Sequence, residues 1–296
     1  MRSAEDGDSH YFYIIAYIRR VAHDSALPVK SEAQVATDNP TAQRSGKSGA
    51  AGKESPLFVK SVEKALAFIT AFDGAHRKLL LSQLAERIGT DLSTAQRFAF
   101  TLEQLGLLRK NAVTKQYEIG PQLLNLGYRY LHGHELIERA TPIMLHLSKT
   151  TEANINLMVP NDRDTIYIAR FQSRNFINTE TMIGARLPMF ATAAGLAMLA
   201  AMATDEADDI LSRSDFQKIT SFTEIDPAIV RTRLQHVRTR GYSIVHQETS
   251  LGDISVAAAI LGTGGAPIAG LSISTSTMTM RSEERRVGKE CRSRWS

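Results

Sequence analysis

Two apolar stripes separated by a single glycine, in LSQLAERIGTDLSTAQRF (residues 81–98), constrain this chain more than any other feature. Leu81, Leu84, Ala85 and Ile88 recur at the i, i+3, i+4, i+7 spacing of a helix, which Gly89 ends. Leu92, Ala95, Ala99, Leu102 and Leu105 mark the next helix, with Gly106 just past it as a C-cap candidate. Upstream, Val59, Val62, Leu66 and Ile69 fall at helical spacing. Downstream, LLRKNAVTKQYEIG reads as two short strands around a polar turn. Three helices and a β-hairpin within about seventy residues form a winged helix-turn-helix plan.

The polar residues on the third helix give that plan a chemistry. Ser93, Thr94, Gln96 and Arg97 lie off its apolar stripe and near its N-terminal end, the end that enters a major groove. Gln can bond adenine bidentately and Arg can bond guanine, so Gln96 and Arg97 are candidate base readers. Arg109, Lys110 and Lys115 on the hairpin suit phosphate contacts, which position a protein on double-stranded DNA. Residues 57–127 hold nine basic and six acidic side chains, a modest positive excess. A solvated helical hairpin would show the same composition. The order of the elements favours DNA: helix, helix, glycine turn, polar-fronted helix, basic wing.

The flanking segments divide the chain. Residues 30–56 are a Ser/Ala/Gly/Lys-rich stretch that cannot bury enough apolar surface to offset its ordering entropy, and residues 1–55 read as a disordered or spurious extension. Residues 56–120 form the winged helix, 121–140 a linker helix and 141–280 a second domain. Residues 121–150 read as helical with interruptions at Gly127 and Gly133. Strands are expected at 154–159, 165–171, 176–183, 242–246, 254–261 and 267–275, and helices over 191–203 and 227–241. Their irregular alternation predicts an α+β domain on an antiparallel sheet. The last sixteen residues, RSEERRVGKECRSRWS, resemble a translated sequencing adapter and are set aside. Without their six basic and three acidic residues the chain is nearly balanced, at 29 against 28. They also hold the sole cysteine, Cys291, so the rest of the chain has no disulfide or thiolate chemistry. No apolar run is long enough to span a membrane, and a cytoplasmic protein is expected.

The second domain carries a candidate pocket. ISVAAAIL (254–261) and PIAGLSIS (267–274) flank GTGG and should pair as a hairpin. Side chains alternate along a strand, so one face carries Ile254, Val256, Ala258, Ile260, Leu271 and Ile273, a core-facing set. The other carries Ser255, Ala257, Ala259, Gly270, Ser272 and Ser274, with Ser255 placed near Ser274. Small residues with three hydroxyls make a shallow polar hollow for an oxygen-rich ligand, or else a seat for a close-packed helix. Enzyme signatures are missing: the ordered part has no GxSxG, HExxH, P-loop or CxxC. His132 and His134 flank a glycine and lack further metal ligands. His246 and Glu248 have the spacing of an acid–base pair on one strand face, though a solvated face is the plainer reading.

The stretches SVEKALAFITAF, LSQLAERIGTDLSTAQRF, LEQLGLL, YEIGPQLLNLGY, TIYIAR, GARLPMFATAAGLAMLA, RGYSIVHQE and IAGLSIS resemble, in order, the IclR-type bacterial transcriptional regulators. The resemblance implies an N-terminal winged helix, a helical linker and a C-terminal effector domain of GAF-like shape. It implies a non-enzymatic, ligand-responsive DNA-binding regulator without metal or cofactor, acting as a homodimer or a dimer of dimers on partly palindromic operators. It also implies control of a catabolic operon by a small organic acid, aromatic ones included. A small-molecule sensor or enzyme of the GAF-like class without DNA binding is the alternative. Effector-contacting positions carry over onto Phe176, Thr179, Ala193, Ala194, Val245, Ser255, Ser272 and Ser274. The helix start at Ala193–Gly195 offers N–H groups to a carboxylate, whose body would lie against Phe176 and Val245. This chain departs from the family in having Phe190 for a histidine, Leu196 for a lysine, and no terminal helix after Met280. Val245 stands where a carboxylate can occur, which points to a less polar ligand.

Overall fold

The computed structural model describes residues 55–173 and 181–277. These divide into two compact units at His134/Glu135. The first contains α1 (Lys60–Thr70), α2 (Leu81–Ile88), α3 (Leu92–Gln104), β1 (Leu108–Lys110), β2 (Tyr117–Ile119) and α4 (Gln122–His132). The strands pair antiparallel from Leu108↔Ile119 to Lys110↔Tyr117, and Leu79 bridges to Tyr117. Phe68, Leu79, Leu84, Ala95, Ala99, Leu102, Leu108 and Tyr117 make the core. The turn between α2 and α3 depends on Gly89, whose φ of 69° lies in the left-handed region that a β-carbon disfavours. There the Gly89 N–H donates to Glu86 O (3.1 Å) and the Thr90 N–H to Ala85 O (2.9 Å), satisfying the last carbonyls of α2.

The apolar spacing on α1 does not mark its buried face, and one expectation for this unit needs correction. Val59, Val62 and Leu66 lie on the exposed side of α1, at 57, 56 and 57%. The helix instead turns Phe68 inward, stacked on Phe98 at a centroid distance of 5.5 Å, with Ala65, Ile69 and Phe72 alongside. Nor does Gly127 interrupt a helix, because α4 runs through it. Gly133 does, and α5 (Glu135–Thr151) begins two residues later. The compact-unit boundary falls at that break, and Ala140 lies buried within α5.

The second unit is a six-stranded antiparallel sheet in the order β5–β4–β3–β8–β7–β6. Its strands are β3 (Asn154–Asn161), β4 (Asp164–Phe171), β5 (Arg186–Pro188), β6 (Ser243–His246), β7 (Asp253–Leu261) and β8 (Pro267–Ser276). The expected β7–β8 hairpin forms, with Ser255↔Ser274, Ala257↔Ser272 and Ala259↔Gly270 in register. Helix α5 packs on β3 and β4, while α6 (Ala193–Ala201) packs on β7 and β8. Helix α7 (Thr204–Arg213), which the sequence reading passed over, buries Ala207, Ile210 and Leu211 in the same cluster as α6. Helix α8 (Pro227–Arg240) adds Val230, Leu234 and Val237 to that cluster. Helix α6 is apolar all round because neighbours cover every side, and Ala193 through Ala200 are all buried. The strand expected over 176–183 falls mostly outside the described residues; 181–183 is not strand, and pairing resumes at β5.

Candidate functional site

The first candidate surface is the N-terminal part of α3. Asp91 caps the helix by accepting the Thr94 N–H at 2.8 Å, so the helix starts where the sequence placed it. Burial of Ala95 and Ala99 turns Ser93, Gln96 and Arg97 outward, all exposed, with Thr94 half-buried. Arg109 and Lys110 are exposed on β1. Lys110 Nζ lies 5.1 Å from the Tyr117 ring centroid. Lys115 sits in the turn with φ 58°. Asn111 Oδ1 shapes that turn by accepting the Val113 and Thr114 N–H groups, each at 2.9 Å. All seven residues singled out for DNA thus lie on this one compact unit, with six exposed.

The second candidate is a cavity of about 30 Å³ in the sheet-containing unit. Ala193, Ala194, Val245, Ser255, Ser272 and Ser274 all line it, as the sequence indicated. Phe176 and Thr179 lie outside the described residues. The two readings of the small-residue hairpin face share it between them. At the Ala259/Gly270 end it receives α6 so closely that a β-carbon on Gly270 would lie 2.8 Å from Ala194 Cβ. At the Ser255/Ser274 end it opens into the cavity.

The sequence reading missed the charged part of this lining. Asn154, Asn156, Tyr167, Arg170 and Asp253 also face the cavity. Burial pushes the Asp253 carboxyl up to about 6, opposed by its hydrogen bond from Ser255 and by the Arg170 charge. Burial also lowers Arg170 and pushes the Tyr167 phenol up to about 12. Asn154 and Asn156 alternate on a central strand, beside Ser274 and Ser272. Asn154 and Asn156, two apart in the expected strand and so on one face of it, were the available signal. Val245 is thus one apolar residue in a largely polar lining.

The start of α6 forms part of the cavity wall. Thr192 Oγ1 accepts the Gly195 N–H at 3.0 Å, and Leu196 N–H returns to Thr192 O at 2.9 Å. The Ala193 and Ala194 N–H groups have no acceptor within the helix. Phe190 and Leu196, the departures from the expected pattern, are buried in the hydrophobic cluster, Phe190 at 4.4 Å from Phe216. His246 and Glu248 do not form an acid–base pair. Gln247, at φ 58°, follows the last residue of β6. Glu248 is buried and accepts Arg233 Nη1 at 2.6 Å and the Glu224 N–H at 3.0 Å. The His132 ring stacks on Tyr128, and His134 meets Tyr130 edge-on.

With both surfaces described, similarity to known proteins becomes informative. The model for the IclR helix-turn-helix domain matches residues 61–112. That for the bacterial transcriptional regulator IclR C-terminal domain matches residues 128–293, running past Met280 into the segment set aside above. The Pca regulon regulatory protein of Pseudomonas putida is 32% identical over 221 residues, 74% of this chain and 75% of that protein. The HTH-type transcriptional regulator KdgR of Escherichia coli is 31% identical over 230 residues, covering 78% and 87%. An IclR homologue from Microbacterium hydrocarbonoxydans, solved with 4-hydroxybenzoate, shares the fold at a TM-score of 0.61 and 21% identity, over 73% of this chain and 88% of that one. The chain therefore belongs to the IclR family of bacterial transcriptional regulators.

Proposed function

We propose that this protein is a non-enzymatic, cytoplasmic regulator that binds operator DNA as a homodimer or dimer of dimers and responds to a small organic acid, controlling a catabolic operon. The observation that carries the reading is one chain that joins a helix-turn-helix with exposed Ser93, Gln96 and Arg97 to a unit holding a buried polar cavity. The relatives named as regulators support it. The 4-hydroxybenzoate bound to the Microbacterium homologue supports an acid as the ligand class. Ligand binding would favour one arrangement of the dimer, changing the separation of two recognition helices that must match half-sites about one helical turn apart.

A gel shift on promoter DNA, titrated with organic acids, tests this. Ser272→Leu and Ala194→Leu each put a bulky side chain on the cavity wall, so they should abolish the ligand response and leave operator affinity unchanged. If both variants respond normally, the effector site lies elsewhere. If wild-type protein binds no promoter DNA with or without acid, the regulator reading fails, and a turnover screen becomes the next test.

A further inference from the structure

Four buried side-chain atoms have no hydrogen-bond partner among the described residues, and all belong to residues lining the same cavity: Asn154 Nδ2, Asn156 Oδ1, Arg170 Nε and Asp253 Oδ1. Buried polar atoms are nearly always paired, so four around one cavity specify what its occupant has to offer. Bonds on their far sides set their polarity. The Ser173 N–H donates to Asn154 Oδ1 at 2.7 Å, which leaves Nδ2 as a free donor. Ser255 Oγ donates to Asp253 Oδ2 at 2.7 Å. With that proton committed, the 2.7 Å contact between Ser255 and Ser274 has Ser274 as donor. Ser274 then accepts from Asn156 Nδ2 at 3.3 Å. This one-way chain leaves Asn156 Oδ1 as a free acceptor. These four side-chain atoms thus comprise two donors, one on a guanidinium, and two acceptors, one on a carboxylate.

A plain carboxylate only accepts. It would satisfy Arg170 and Asn154, strand both acceptors and set like charge beside Asp253. Hydroxyls on the same molecule supply the missing donors. An ammonium also donates, but places a second cation near Arg170. The cavity is small, so a short molecule displaces its walls less than a ring would.

We propose that the effector is a short aliphatic hydroxy acid, with its carboxylate taken by Arg170 Nε and Asn154 Nδ2 and its hydroxyls donating to Asn156 Oδ1 and Asp253 Oδ1. The inference rests on the cavity being the effector site. Calorimetric titration of the full chain with propanoate, 2-hydroxypropanoate, 2,3-dihydroxypropanoate, 2-aminopropanoate and 4-hydroxybenzoate tests it. Affinity should rise roughly tenfold with each added hydroxyl, since each relieves one stranded acceptor. In Asp253→Asn, which can turn an amide donor toward the ligand, the preference of 2-hydroxypropanoate over propanoate should fall to about threefold or less. If that variant fails to fold, the wild-type series decides alone. Propanoate binding as tightly as the hydroxylated acids overturns the proposal, as does tighter binding of the amino or aromatic acid, and either leaves the effector-site reading standing. No binding of any acid overturns that reading and this inference together.

Discussion

Gly270→Ala is the sharpest probe of how the cavity is built. The added β-carbon would lie 2.8 Å from Ala194 Cβ, 3.0 Å from Ala194 O and 3.1 Å from Ala194 Cα. Two of these three neighbours are backbone atoms, so no side chain can swing aside. Restoring an ordinary contact means lifting the start of α6 by about half an ångström or more, against a cluster that includes Val230, Leu234 and Val237 of α8. Overpacking of this kind costs about 1–3 kcal/mol. In a unit of this size that lowers the melting temperature by roughly 3–10 °C. Differential scanning fluorimetry reads the change, with Gly264→Ala as control because no atom lies within 4 Å of its β-carbon. The control should melt within about 2 °C of wild type. Adding Ala194→Gly to Gly270→Ala removes the 2.8 Å contact and should recover part of the loss as a measurable coupling. A Gly270→Ala protein that melts like wild type refutes the tight seating of α6 on β8.

Two further predictions concern charge and base reading. Gln96→Ala or Arg97→Ala should cost roughly 1–3 kcal/mol at the operator and relax specificity, whereas Lys110→Ala or Lys115→Ala should weaken binding to all sequences alike and reduce the salt slope by about 1. Fluorescence anisotropy on operator and random duplexes checks this; equal losses on both from the Gln96 and Arg97 changes would sink the base-reading assignment. Asp253 has a folded-state pKa of about 6 against 3.8 unfolded, so between those values the folded protein keeps a proton that the unfolded chain has lost. Its ionisation therefore destabilises the fold progressively as pH rises from about 4 to about 6, and the cost is fully present above that window. The melting temperature of wild type relative to Asp253→Asn should fall across this range and then level off; a difference that stays constant between pH 4.5 and 7.5 would contradict the burial argument.

The architecture was legible wherever periodicity and punctuation agreed. Gly89 marked the α2–α3 turn in the sequence because its role is local, a left-handed conformation that ends a helix, whereas the Asp91 cap went unread. The β7–β8 register followed from counting outward from a glycine turn, which is why Ser255 and Ser274 could be paired in advance. On α1, Val59, Val62 and Leu66 satisfy the same spacing as the buried set around Phe68, and periodicity alone does not say which stripe faces inward. In the cavity, the serines were visible because they share one hairpin. Arg170 and Asp253 come from β4 and from the start of β7, and only the sheet order shows that they face one space.

Helix α6 is held at both ends by side chains that are not its own. Ser243 Oγ, at the start of β6, donates to Ala193 O, and Arg238 Nε of α8 donates to Ala200 O at 3.0 Å. A helix of nine residues is about 13 Å long and has little capacity to bend. A push on its first turn, where it borders the cavity, is therefore not absorbed along the way. It arrives at the last turn as a displacement of the carbonyl that Arg238 holds, so that guanidinium must follow or let go. One short, stiff helix thus runs from the cavity wall at Ala193 and Ala194 to the carbonyl that Arg238 of α8 holds.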